Sequence, residues 1–256
     1  MQSTVHKISR VQANVRPALS IAFMVAFTTI CPATEPPRDL ARRVAEREAV
    51  SEGERSRYTY KQWLTVEEFD HRGAKAGLYQ ERREVIFLPN NDRVEQLTGQ
   101  PNSTLKRLRM TEEDFHDMRE IQPLLFTKDR LSLYETKVKG EETIDGIDCW
   151  VLQVRPKQIL QGMRMFDGMF WVDKRDDSII RSEGRAVPQM RSSNPAKDNL
   201  FPYFTTVREK FGEFWFPVLT FADDTLDFSS GPLRIKFTIR YRDYKRFTTE
   251  STIVPQ

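Results

Sequence analysis

The run Leu233–Phe247 (LRIKFTIRYRDYKRF) constrains this chain more than any other stretch. Ile235, Phe237, Ile239 and Tyr241 fall on one side of an extended strand, and Arg234, Lys236, Thr238, Arg240 and Arg242 on the other. A period of two, apolar on one face and charged on the other, is the habit of an antiparallel sheet with one face buried and one wet. Cations and apolar side chains also lie on opposite sides of the strand. That argues against a nucleic-acid surface, where stacking groups and cations share a face.

The same texture recurs along the chain. Tyr58–Phe69 and Leu78–Leu88 flank the glycine-containing turn 70–77 as a long hairpin, with Val94–Leu97 after a second turn. Residues 99–110 read as a polar loop. Thr111–Asp114 (TEED) is a capping pattern that opens a helix with Phe115, Met118 and Ile121 on its apolar face and Pro123 at its end. Leu131–Val138 and Glu141–Ile144 approach Asp145-Gly146, a strong two-residue hairpin signal. Ile147–Val154, Met165–Val172, Ser178–Ala186, Phe204–Phe211 and Trp215–Phe221 continue the series, with 185–199 as a loop. Asp39 is placed to cap an earlier helix that runs to about Val50.

The N-terminus has a different character. Lys7, Arg10 and Arg16 precede the apolar run Ala18–Ile30, and no acid occurs in residues 1–33. Thirteen residues fall short of the roughly 20 that span a bilayer, but they suit the core of a secretory signal, with Cys31-Pro32-Ala33 before the cut. The bulky Ile30 before Cys31 argues against lipidation. The expectation is a signal peptide over 1–33, a single domain over 34–256, and a mature chain that is exported and spans no membrane. Those three cations account for the whole formal excess of +3, so residues 34–256 are charge-balanced.

Candidates for chemistry are few. His71 lies in a turn and His116 on a helix among acids. Asp173–Asp177 carries two cations inside the loop, so it reads as a turn rather than a calcium site. Cys149 sits in an apolar strand, where a thiol is inert packing. With no nucleophile elbow, phosphate loop or metal motif, the expectation is no catalytic residue, no metal and no cofactor. What stands out is aromatic load: 17 Phe, 7 Tyr and 4 Trp exclude disorder and supply a large apolar sheet face.

The hairpin Gly140–Trp150 (GEETIDGIDCW), and Phe170-Trp171-Val172-Asp173 followed by Ile179-Ile180-Arg181, resemble the LolA/LolB-like outer-membrane lipoprotein-sorting proteins, to which the RseB N-terminal domain is related. The likeness extends loosely over 39–247. It implies an α+β fold: a strongly curved antiparallel sheet, an incomplete barrel, covered by a few helices and able to hold acyl chains. The function expected on this basis is a non-catalytic binding protein of the bacterial periplasm that carries or senses lipid, acyl chains or lipoproteins. Leu64, Val66, Phe170, Val172, Ile235, Phe237 and Ile239 are the candidate ligand-binding residues. The alternative is an envelope protein-interaction or regulatory module with a filled core and no lipid ligand.

Overall fold

The computed structural model describes residues 35–88, 90, 92–120, 126–160, 163–188, 202–228 and 230–246. The segment read as a signal peptide lies outside them, as do Ile121, Pro123 and most of the loop 185–199. Helix α1 (Leu40–Arg55) precedes strands β1 (Tyr58–Phe69), β2 (Lys75–Phe87), β3 (Arg93–Leu97) and β4 (Asn102–Ser103). Helix α2 (Glu112–Glu120) and a 3₁₀ turn (Leu131–Leu133) follow. Strands β5 (Tyr134–Ile144), β6 (Ile147–Pro156), β7 (Met165–Asp173), β8 (Ile179–Val187), β9 (Phe204–Phe211), β10 (Phe214–Phe228) and β11 (Gly231–Arg246) complete the order.

The eleven strands among the described residues belong to one antiparallel sheet in the order β3-β2-β1-β11-β10-β9-β8-β7-β6-β5, with β4 added to β2. The first long strand therefore pairs with the last, while β3 and β5 stay apart as edges. The antiparallel pairing is what the alternation predicts, and the open, incomplete barrel is what the resemblance implies. The edge strand β5 exposes Lys137, Lys139, Glu141 and Glu142, charges that discourage pairing with another chain.

Local chemistry explains the turns. Asp145 (φ 50°) and Gly146 (φ 78°) both take the left-handed conformation that a two-residue hairpin requires. Thr111 and Asp114 cap α2 reciprocally: the Asp114 amide donates to Thr111 Oγ1 (3.2 Å) and the Thr111 amide to Asp114 Oδ2 (2.7 Å). Asp39, by contrast, makes no side-chain cap; its carboxylate receives the Arg42 guanidinium, and α1 continues past Val50 to Arg55. Strand β10 extends beyond Phe221 to Phe228, paired with β11 along that length. Asp223 accepts from Arg234 at 2.9 Å on the neighbouring strand. The two runs before Asp145 form one strand, β5, with a register shift between Val138 and Gly140.

One face of the sheet carries the main core. Tyr60, Leu64, Val66, Tyr79, Leu152, Phe166, Phe170, Ile235, Phe237 and Ile239 are all buried there, beneath α1, α2 and Phe126. Gly168 and Gly184 oppose each other across β7 and β8, and the Phe166 ring lies over them. A Cβ on either glycine would come within 2.6 Å of that ring, so only glycine fits there. The ring in turn stacks on Phe170 at 5.3 Å.

Candidate functional site

Two devices attach the covering segments to the sheet. On α1, Glu48 faces inward and accepts two hydrogen bonds from Arg208 of β9 (2.7 and 2.9 Å), with side chains 5% and 3% exposed. Arg43 and Arg47 of the same helix bind Asp177 and Ser178 in the β7–β8 turn. The second device is the carboxylate of Glu68, 1% exposed at the end of β1, which accepts the backbone N–H groups of Lys106, Arg107 and Leu108 (2.5, 3.1 and 3.0 Å). Gly77 leaves room for this arrangement, since a Cβ there would lie 2.6 Å from Glu68 Oε1 and 2.8 Å from Leu105 Cα. The segment read as a polar loop is thus strapped across the sheet, and Leu108 is buried beneath it.

Between this strap and α2 runs a groove of about 460 Å³ lined by Tyr79, Ser103, Leu105, Lys106, Leu108, Arg109, Met110 and Phe115. Its apolar floor is continuous with the main core: Tyr79 and Leu108 belong to that cluster, and Leu105, Met110 and Phe115 pack against it. Lys106 and Arg109 are exposed at the groove, and neither enters an ion pair among the described residues. The groove exposes more polar than apolar surface, and its apolar side chains lie beside two cations, an arrangement that suits an amphiphile with an anionic head.

Phe115 also lines a small, partly open cavity of about 20 Å³, together with Gln62, Leu64, Glu81, Arg83, Glu95, Met118 and Ile239. That volume holds about one water. Phe115 therefore separates groove from cavity, and the Arg83 guanidinium lies over its ring at 4.7 Å. Behind it, Tyr79 donates to Glu81 (2.6 Å), and Arg83 bridges Glu81 (2.6 Å) and Glu95 (2.8 Å). Burial, followed by the hydrogen bond to Glu81, raises the Tyr79 hydroxyl well above its ordinary pKa, so it stays a donor. Helix α2 is fixed from its other side by Arg164, which pairs with Asp117 while both side chains are buried.

The seven residues predicted to bind ligand all lie on the inner face and in one core cluster. Leu64 and Val66 stand opposite Ile239 and Phe237, and Ile235 follows beside Glu68. Phe170 and Val172 lie further round the sheet on β7, with Phe126 against Phe170 at 5.4 Å. Only Leu64 and Ile239 reach the cavity; the groove itself is formed by residues that sequence reasoning did not select. The signal available was Leu105, Leu108 and Met110 interleaved with Lys106, Arg107 and Arg109.

The remaining candidates fall into structural roles. Asp173 is held by Arg175: burial alone would raise its carboxyl, but the hydrogen bonds from Arg175 outweigh this and keep it below its ordinary value. Asp176 and Asp177 bind the Ser178 amide and Arg43, so the loop's acids are engaged internally. Cys149 is fully buried, and that burial pushes its thiol up to about 12. His71 and His116 are exposed on separate elements. Among the described residues no group of three metal-ligating side chains occurs, and no helix is long and apolar enough to cross a membrane.

No protein-family model matches the sequence, and no curated protein matches it significantly. Solved structures do resemble it. A LolA superfamily protein from Nitrosomonas europaea shares 13% identity over 84% of this chain and 97% of that one, with a TM-score of 0.39. A DUF1329 family protein from Desulfovibrio piger shares 15% identity over 85% and 96%, with a TM-score of 0.41. A putative outer membrane lipoprotein-sorting protein domain from Vibrio parahaemolyticus shares 9% identity over 83% and 95%, with a TM-score of 0.35. Identities are low and superpositions loose, so the likeness is one of general architecture.

Proposed function

We propose that this protein is a non-catalytic binding protein of the bacterial periplasm, exported by residues 1–33, that carries or senses lipid, acyl chains or lipoproteins. The observation that carries this reading is the groove between the 103–110 strap and α2, apolar along its floor and cationic at Lys106 and Arg109. The tail of an acyl ligand lies against Leu105, Leu108, Met110 and Phe115, while its carboxylate or phosphate meets the two cations. Each methylene buried contributes about 0.8 kcal/mol. A longer chain displaces Phe115 and enters the space beside Leu64 and Ile239. Movement of α2 makes that possible, since a nine-residue helix has little stability of its own and stays in place through its cap and Asp117.

Displacement of a fluorescent fatty acid by palmitate tests this in solution. The protein is expected to bind palmitate and to bind its uncharged methyl ester several-fold less well. Lys106→Gln combined with Arg109→Gln is expected to abolish that preference while leaving the fold intact, because both side chains are exposed. The tight packing at the 20 Å³ cavity favours the second reading, an envelope interaction or regulatory module with a filled core. That reading predicts no palmitate uptake and no displacement at all.

A further inference from the structure

The outer face of the sheet carries an arrangement unrelated to the groove. Arg82 on β2, Trp63 on β1 and Arg240 on β11 stand directly opposite one another across three strands. Arg242, next along the same face of β11, joins them. The guanidinium carbons of Arg82 and Arg242, from the strands on either side, lie 5.1 and 5.6 Å from the centre of the Trp63 ring. Beyond Arg240 in the same row comes Leu219, and in the next row Phe221 faces outward beside Thr238. Trp63 is 38% exposed and Phe221 40%. Sequence reasoning placed the β11 cations on a face without aromatics; the neighbouring strands supply them through register.

These cations differ from others on the same face. Arg234 and Lys236 are bound by Asp223, and Lys61 by Asp243. Arg82, Arg240 and Arg242 are exposed and enter no ion pair among the described residues. Residues 34–256 are charge-balanced, so attraction of an anion depends on this local concentration rather than on the overall field.

We propose that the outer face of β2, β1, β11 and β10 docks onto an anionic lipid bilayer. The surface combines what a membrane interface rewards: guanidinium forks that pair with phosphate, and half-exposed aromatic rings that settle at headgroup depth. A nucleic acid suits it less well, because guanidinium groups already lie over the indole on which a base would stack. The proposal does not rest on acyl binding in the groove, which lies on the inner side of the sheet.

Cosedimentation with phosphatidylcholine vesicles, with and without phosphatidylglycerol, tests it. The wild-type chain is expected to bind only the anionic vesicles, to be released by salt, and to show a blue shift of tryptophan emission that Trp63→Ala removes. Arg82→Gln and Arg240→Gln are each expected to weaken binding about fivefold. Equal binding to both vesicle types, or variants that bind like wild type, would overturn the proposal. Displacement from the vesicles by inorganic phosphate at matched ionic strength would reduce the face to a free-anion site and overturn it. Binding of polyglutamate without vesicle binding would assign the face to an acidic peptide instead. Palmitate displacement by the same variants is expected to be unchanged, which separates failure here from failure of the groove reading.

Discussion

Replacing Arg208 by Ala is expected to destabilise the protein by about 3–5 kcal/mol, measured as a fall in the midpoint of urea unfolding. Arg208 and Glu48 are almost fully buried, and each has lost its hydration. Their bidentate contact and the Arg208 bond to the Ile179 carbonyl (3.3 Å) offset that loss. Once the guanidinium is removed, the Glu48 carboxylate is left uncompensated between α1 and the sheet. The helix must then move outward to rehydrate it, uncovering Leu40, Val44 and Ala45. The double variant Glu48→Gln with Arg208→Met is expected to recover most of the loss, because no buried charge remains.

Glu68→Ala is expected to cost about 2–4 kcal/mol and to weaken palmitate binding together with stability. The carboxylate satisfies three consecutive backbone N–H groups, and hydrogen bonds to a charged acceptor contribute about 1.5–3 kcal/mol each. Removing it also relieves the cost of keeping Glu68 itself buried, so the net effect falls below the sum. Hydrogen exchange locates the effect: the amides of Lys106, Arg107 and Leu108 should lose protection while those of β7 and β8 keep theirs. Glu68→Gln, with one acceptor oxygen remaining, should lie between wild type and Ala.

What the sequence made legible was local. Alternation over Leu233–Phe247 set the inner and outer faces of β11, Asp145-Gly146 set its hairpin, and Thr111 with Asp114 set the start of α2. Each depends on residues within a few positions of one another. The buried pair of Glu48 and Arg208 joins residues 160 positions apart, and neither looks different from a surface charge in the linear chain. Leu108 reads as part of a polar loop because its burial is imposed by Glu68, 40 residues earlier. The position of Trp63 among arginines likewise follows from the pairing of β1 with both β2 and β11, which no local pattern announces. The seven apolar residues chosen as ligand contacts are all buried in the main core, and none of them lines the groove, because alternation marks which side chains are buried but not which of them border open space.

A palmitate analogue with a photoreactive group on its terminal carbon, crosslinked to the purified chain and mapped by peptide mass spectrometry, tests the central claim most directly. Adducts on Tyr79, Leu105, Leu108, Met110 or Phe115, or further in on Leu64 and Ile239, all suppressed by excess palmitate, are the predicted result. Adducts confined to the outer face around Trp63 and Phe221, or labelling that excess palmitate leaves unchanged, would contradict it.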